Sequence, residues 1–126
     1  MKRSWFGAVL LIVLLILSIA AAFFMTRLHE DLALEARLSA DSALLGQWDD
    51  VHLLLRRISR RWDRFSGLRS CLTDHEALEA IDATLAQMEV CRQSKNALHY
   101  QLLCAQLQTQ LTALGEAHTL TWRNLL

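Results

Sequence analysis

The chain opens with a long apolar run. No ionisable side chain lies between Arg3 and Arg27, and the twenty-one residues 5–25 are all uncharged. In a helix this run would extend over about 31 Å, close to the hydrocarbon thickness of a bilayer. Trp5 stands at one end, where its indole N–H can stay at the interface. The pattern predicts a short basic N-terminus at 1–4 and a transmembrane anchor at 5–25.

A cleaved signal peptide is the competing interpretation of this run. Lys2 and Arg3 would form its basic start, and Ala20–Ala22 supplies small residues suited to a cleavage site. The apolar run continues through Phe23–Met25, which makes it longer than a usual signal-peptide core. Run length therefore favours an uncleaved anchor.

The charges that flank the anchor bear on its orientation. Lys2 and Arg3 precede it, and Arg27 and Arg37 follow it closely, so the positive side chains are balanced. The α-amino group adds one positive charge on the N-terminal side. The charge distribution therefore predicts a cytoplasmic N-terminus, with the remainder of the chain outside the cytoplasm.

Beyond the anchor, apolar positions recur at helical spacing throughout residues 26–126. The first stripe consists of Leu28, Leu32, Ala36, Ala40 and Ala43, and a second stripe, on the other side of the same helix, of Leu34, Leu38 and Leu45. We expect helices at about 27–45, 48–66, 74–93 and 95–114, followed by a short C-terminal turn that docks Leu120, Trp122 and Leu125. The predicted stops are Gly46, Gly67 and Gly115, and the predicted N-caps are Thr73 and Ser94.

The second of these segments has the clearest amphipathic pattern. Its apolar stripe consists of Val51, Leu54, Leu55, Ile58, Trp62 and Phe65, and its opposite side carries Arg56, Arg57, Arg60, Arg61 and Arg64. Nothing interrupts the helical pattern between the anchor and the first helix. Short connections favour antiparallel neighbours. The predicted fold is all-α: the transmembrane helix continues into an up-down four-helix bundle.

Composition narrows the possible functions. The chain has 126 residues, with 13 Lys+Arg balanced by 13 Asp+Glu, four Gly and no Pro. It is too short for the large nucleotide-binding enzyme folds, and too poor in turn residues for an all-β fold. Its neutral charge argues against a nucleic-acid partner. We find no phosphate-binding glycine loop, nucleophile elbow or paired-carboxylate motif, and we expect neither catalysis nor a cofactor.

The arginine side of the second helix is the main candidate interaction surface. Residues 48–70 sum to +3 and residues 71–93 to −4, so the second helix could be balanced by the third. The arginines could instead contact anionic lipid headgroups or an acidic partner.

A weaker candidate is a cation site on one stripe of the third helix, formed by His75, Glu79 and Asp82 if His118 or another acid came near. The ordinary interpretation of this stripe is a solvated acidic edge. His29, His52 and His99 stand alone and are expected at the surface or in packing. Cys71, Cys91 and Cys104 lack a CxxC spacing; we expect buried free thiols, with an intermolecular disulfide as the alternative.

Several of these features together resemble the uncharacterised family called domain of unknown function 4363, short single-pass membrane proteins of Gram-positive bacteria. They are the basic start with one anchor, Trp62, the segment from Thr73-Asp74-His75-Glu76 to Ile81-Asp82, and the end 120–126. The resemblance implies a non-enzymatic protein with a polytopic partner of the family called domain of unknown function 421. It singles out Trp62, Asp74 and His75 as interaction candidates and gives the cysteines no role.

Together these features predict a membrane-anchored accessory or interaction subunit whose partners are the bilayer and a membrane protein or a second copy. The alternatives are a ligand- or cation-sensing bundle outside the cytoplasm and a structural coiled-coil spacer.

Overall fold

The computed structural model describes residues 2–64 and 75–125, with side chains described as far as residue 116. This part of the chain contains α-helices and no strand. The helices are α1 (Lys2–Leu44), α2 (Trp48–Arg64), α3 (His75–Ser94) and α4 (Ala97–Leu125). The all-α prediction is confirmed. Phe65, Gly67, Cys71, Asp74 and the predicted N-cap Thr73 lie outside the described residues.

Helix α1 continues without a break from the apolar run into the bundle. Its 43 residues extend over about 64 Å at the standard helical rise. The expected continuity of the apolar run with the first bundle helix is therefore confirmed. The N-terminal part is bare: large side chains such as Leu10 and Ile16 are each 60% exposed. Burial begins at Met25, so one helix serves two different environments.

The second half of α1 packs against two helices, α2 and α4, while α3 contacts those same two helices. The four helices thus form a closed ring of neighbours around one core. The core residues share helical spacing on each segment and include Leu32, Ala36, Val51, Ile58, Ile81, Met88, Tyr100, Leu107 and Leu111. The predicted core stripes of all four segments supply most of them.

Buried polar side chains add directional contacts to this core. Thr84 of α3 is only 1% exposed; its hydroxyl donates to Gln110 Oε1 at 2.9 Å and accepts from Gln106 Nε2 at 3.2 Å. At the start of α2, the Trp48 ring packs edge-on against the Tyr100 ring, with 6.1 Å between the ring centroids. The hydrogen bonds of Thr84 fix the register of α3 against α4, because a shift of one helix along the other would leave buried polar groups unpaired.

Helix α1 ends in the way that Gly46 predicts. Gly46 has a positive φ of 73°, its N–H donates to the carbonyl of Ala43, and the N–H of Gln47 donates to that of Ser42. These two bonds define a Schellman motif with glycine at its left-handed position. The expected C′ role of Gly46 is confirmed.

Helix α3 ends in the same motif without a glycine. Lys95 takes the left-handed conformation with φ 55°, and the N–H of Asn96 donates to the carbonyl of Cys91. Asn96 then caps α4, since its Oδ1 accepts from the N–H of His99 at 3.2 Å. The prediction of Ser94 as the N-cap was wrong: Ser94 is the last residue of α3 and its hydroxyl donates to the Cys91 carbonyl.

Helix α4 also departs from the prediction at Gly115. The helix runs through this residue to Leu125, so the predicted stop at Gly115, followed by a separate C-terminal turn, was wrong. A glycine inside a helix costs only about 1 kcal/mol, and buried Leu111 and Leu114 on the preceding turn hold α4 in the core. Backbone continuity here is decided by packing rather than by local propensity. The predicted docking of Leu120, Trp122 and Leu125 concerns side chains outside those described.

The two Schellman motifs predict substitutions of opposite effect. Gly46→Ala should lower the free energy of unfolding by about 1 kcal/mol, because a Cβ is disfavoured at positive φ. Lys95→Gly should raise it by up to about 1 kcal/mol, because it removes that same strain. Urea unfolding of the full chain in mild detergent, followed by circular dichroism, measures both. If both substitutions changed the free energy of unfolding in the same direction, the two Schellman motifs would not be the cause.

Candidate interaction surface

The predicted arginine face lies on the outer side of α2. Helix α2 buries Val51, Leu55, Ile58 and Trp62, which leaves its arginines turned away from the core. A shallow groove of about 430 Å³ runs along this side. Its lining is Leu53, Arg56, Arg57, Arg60, Arg61 and Arg64. All five arginine candidates are therefore brought together on one surface, here called the arginine face.

A buried acid of α1 lies beneath one edge of the arginine face. Glu35 Oε1 lies 3.2 Å from a guanidinium nitrogen of Arg61 and 3.9 Å from one of Arg57. The Glu35 side chain is 11% exposed, whereas those of Arg57 and Arg61 are 63% and 42% exposed. This contact ties α2 to α1 and keeps the guanidinium groups partly in water.

The charge balance therefore differs from the expectation based on segment sums. Among the residues described, the ion pairs of the arginine face go to Glu35 on α1, and no α3 carboxylate lies within 4.0 Å of it. Glu89 of α3 instead pairs with its own helix neighbour Arg92, whose Nε donates to it at 3.0 Å. This hydrogen bond lowers the pKa of Glu89. Charge sums over segments do not reveal which side of a helix meets a neighbour.

Trp62 belongs to the core. It is only 2% exposed, and its indole Nε1 donates to the Asp82 carboxylate at 2.6 Å. The bond joins α2 to α3, and its acceptor is charged, which strengthens it. Trp62 is therefore a structural residue and does not belong to a free interaction surface. Of the other two candidates implied by the family resemblance, His75 is exposed at the start of α3 and Asp74 lies outside the described residues.

The acidic stripe of α3 does not assemble a cation site within the described residues. His75, Glu79 and Asp82 are all exposed, and the Asp82 carboxylate already accepts the Trp62 hydrogen bond. No group of three or more His, Cys, Asp or Glu residues in the described part is close enough to hold a metal ion. His118, the further ligand considered for this stripe, has a side chain outside those described.

A buried polar cluster joins α1 to α4. Tyr100 donates its hydroxyl to Ser39 Oγ at 3.2 Å, and Cys104 Sγ lies 3.6 Å from the same oxygen. Ser39 in turn donates to the Ala36 carbonyl at 2.8 Å. All three side chains are fully buried. Burial raises the pKa of Tyr100 far above its usual value and that of the Cys104 thiol to about 11, so both stay protonated at neutral pH.

This cluster satisfies polar groups inside the core and offers no reactive centre. Cys91 and Cys104 are both free and buried, as expected for two of the three thiols. Burial also raises the pKa of Cys91. A nucleophilic cysteine requires a lowered pKa and access to solvent, and both thiols have the opposite properties.

Leucine side chains remain exposed on the outer side of α1 beyond the apolar run, among the exposed charged residues Asp31, Arg37 and Asp41. Leu34 is 57% exposed and Leu38 47% exposed, and Leu45 just beyond the helix is 73% exposed. These residues form the second stripe predicted from the sequence, here called the outer leucine stripe. No helix of the described bundle covers it.

Comparison with known proteins found no family model, curated protein or solved structure that matches the chain. The resemblance to domain of unknown function 4363 stays a prediction.

Two structural residues were missed by the sequence analysis although a signal was present. Leu28, Leu32, Glu35 and Ser39 follow one another at spacings of 4, 3 and 4, the pattern of a core stripe. Their polar character kept Glu35 and Ser39 out of the predicted core. A polar residue at a core register is itself the signal, since it must find a partner on a facing helix.

The Trp62 hydrogen bond predicts the effect of a conservative change. Trp62→Phe keeps most of the ring but leaves the Asp82 carboxylate without its donor, and should lower the free energy of unfolding by about 1.5–3 kcal/mol. Urea unfolding of the full chain in mild detergent measures it. Trp48→Phe serves as the matched control, because the Trp48 ring meets Tyr100 through an edge-on aromatic contact that Phe can also make. An equal loss for both variants would exclude a particular role for the indole N–H of Trp62.

The raised pKa of Cys104 predicts slow alkylation. In a Cys71→Ser/Cys91→Ser variant, the remaining thiol should react at pH 8 about two orders of magnitude more slowly in the folded than in the unfolded chain, because its pKa of about 11 leaves little thiolate. Rates with iodoacetamide, with and without denaturant, provide the measurement. Similar rates in both states would show that Cys104 is accessible and ionised.

Proposed function

We propose that this chain is a single-pass membrane protein whose helical domain acts as a non-enzymatic accessory subunit of a membrane complex. The N-terminus lies in the cytoplasm, the anchor is retained, and the domain lies on the other side of the membrane. Each part of this proposal is supported by a separate feature of the sequence or of the packing.

The anchor rests on the contrast between the two parts of α1. Within the described residues, α1 is the one helix that is long and apolar enough to cross a membrane. The apolar part lies before the bundle and is almost wholly uncovered by the rest of the chain. A core helix of a water-soluble protein would be buried at its apolar positions, so the bare side chains of α1 favour lipid as their surroundings.

The domain is proposed as an up-and-down bundle. Short connections join α1 to α2 and α3 to α4. The contacts of Arg61 with Glu35 and of Trp62 with Asp82 support the return of α2 along α1 and of α3 along α2. The contact of Tyr100 with Ser39 supports the approach of α4 to α1. This order places the α1–α2 and α3–α4 connections at the end of the domain away from the membrane.

The outer leucine stripe is the observation that carries the proposed role. Leu34 and Leu38 lie on the face of α1 opposite the core and are about half exposed. Exposed apolar side chains that are rimmed by polar residues, as Leu34 and Leu38 are by Asp31, Arg37 and Asp41, are typical of interaction sites. The stripe begins nine residues beyond Met25, about 14 Å above the end of the apolar run, where a neighbouring membrane protein can reach it. We propose a helix of a membrane-protein partner as its occupant.

Site-specific photo-crosslinking tests the role. A benzoylphenylalanine in place of Leu38 should give a discrete adduct of higher mass in native membranes, and one in place of the exposed Gln87 on α3 should give none. Mass spectrometry of the adduct identifies the partner. An adduct of twice the chain mass would show that a second copy of the chain, and not a different membrane protein, occupies the stripe.

Anchoring is tested separately by alkaline extraction of the same membranes. The full-mass chain should stay in the pellet. Release of the chain, or a mature form that begins near Phe23, would overturn the anchored state. Retention in the pellet without any Leu38 adduct would overturn the accessory role and leave the anchor intact.

A further inference from the structure

The continuous helix α1 fixes the height of every bundle residue above the end of the apolar run. The three residues 45–47 connect α1 to α2, so Trp48 begins α2 about level with Leu44. Counting sixteen residues along each helix then places Arg64 about level with Leu28. Leu28 lies three residues beyond Met25, or about 5 Å. The same count places Arg57 level with Glu35, and the contact between these two side chains agrees with this register. Arg61, one turn nearer the apolar run, reaches the same carboxylate.

This height is the level of lipid headgroups. The polar layer on each side of a bilayer is about 5–7 Å thick. Arg64 therefore lies in this layer if the apolar run spans the hydrocarbon, and Arg60, one turn away at about 10 Å, can reach it with its long side chain. Arg56 and Arg57 lie a further turn away.

Of the arginine face, Arg60 and Arg64 lie nearest the apolar run, and both have spare charge. Both are exposed on the outer side of α2 and line the same groove. Among the residues described, no carboxylate oxygen lies within 4.0 Å of the guanidinium group of Arg60 or Arg64. Glu35, the acid that reaches the arginine face, pairs with Arg61 and Arg57 instead. Two guanidinium groups four residues apart can contact the same or neighbouring anions.

We propose that Arg60 and Arg64 bind the phosphate groups of anionic lipids and so hold α2 against the membrane surface. Guanidinium groups form bidentate hydrogen bonds with phosphate oxygens, and basic segments next to a membrane are attracted to anionic lipid. The inference rests on the anchored state of the proposed function. It does not depend on the partner that occupies the outer leucine stripe.

The acids near the same level lie on other sides of the domain. Glu30 and Glu116 border the groove between α1 and α4, while Asp63 of α2 lines the groove between α2 and α3. Asp31 of α1 is exposed and, among the described residues, forms no ion pair within 4.0 Å of the arginines. Glu76 and Glu79 lie at the start of α3, before the Asp82 that contacts Trp62, and Arg27 lies on the outer side of α1. The membrane-proximal end thus has a basic side at α2, with acids between α1 and α4 and on α3. We expect the basic side to face the lipid phosphates more closely.

Binding of phosphatidylglycerol to the full chain in detergent tests the proposal. Native mass spectrometry titrates this lipid, with phosphatidylcholine in parallel. The wild-type chain should bind phosphatidylglycerol more tightly than phosphatidylcholine. Arg60→Gln/Arg64→Gln should weaken phosphatidylglycerol binding by about thirtyfold, the loss expected for two basic residues at a membrane surface. Arg60→Lys/Arg64→Lys should retain most of the affinity because it keeps both charges.

The matched control removes the same charge far from the membrane. Arg37 lies about 18 Å beyond Met25, and Lys95 lies in the connection between α3 and α4, next to the distal end. Arg37→Gln/Lys95→Gln should leave phosphatidylglycerol binding within about twofold of wild type, because surface attraction fades beyond a Debye length of about 10 Å. Circular dichroism of every variant shows that the helices are intact.

Three results would overturn the proposal. The first is wild-type affinity in the Arg60→Gln/Arg64→Gln variant. The second is an equal loss in the distal control, which would show a general effect of charge. The third is arginine-dependent binding of an oligoglutamate peptide without any preference for phosphatidylglycerol, which would assign the surface to an acidic protein. Failure of the anchored state itself would appear as release of the chain by alkaline extraction.

Discussion

The unbroken course of α1 is the constraint on which the rest of the structure depends. No proline or glycine interrupts residues 8–44, and the hydrogen-bonded helix passes from the bare apolar part into the bundle without a hinge. The bundle is built on the C-terminal part of this helix, because α2 and α4 both pack against it, while α3, within the described residues, contacts α2 and α4 alone. The first helix therefore fixes the position of the core relative to the apolar run.

Polar contacts give this small core its register. Glu35 and Ser39 on α1, Asp82 and Thr84 on α3, and Tyr100 on α4 each meet a partner on another helix. An apolar interface alone tolerates sliding by a turn, whereas a buried hydroxyl or carboxylate does not, because a slip leaves it without a partner. These contacts are spread over all the helix pairs that touch. The bundle is specified by them as much as by its leucines.

Much of the fold could be predicted from the sequence, because helical periodicity reports which face of a helix is buried. The core positions of α2 from Val51 to Trp62 and the end of α1 at Gly46 follow from local patterns. The errors arose where tertiary contacts outweigh local preference. Gly115 lies within a helix because α4 packs along α1, and the cap of α4 is Asn96 because the Schellman motif at Lys95 shifts the boundary beyond Ser94.

The arginine face was visible in the sequence, but its charge partner was not. The sum over residues 71–93 pointed to α3, while the contact depends on which side of α1 carries Glu35. Trp62 shows the same limit: an aromatic residue singled out for interaction serves as a core donor.

The absence of a hinge in α1 has a mechanical consequence. About 28 Å of helix separates Met25 from the distal end at Leu44, so in the proposed anchored state this part would act as a lever on the part within the membrane. A change of about 10° in the tilt of the embedded part, such as a thinner bilayer imposes, would displace the distal end by about 5 Å. Bilayer thickness would thus be converted directly into a sideways movement of the whole domain.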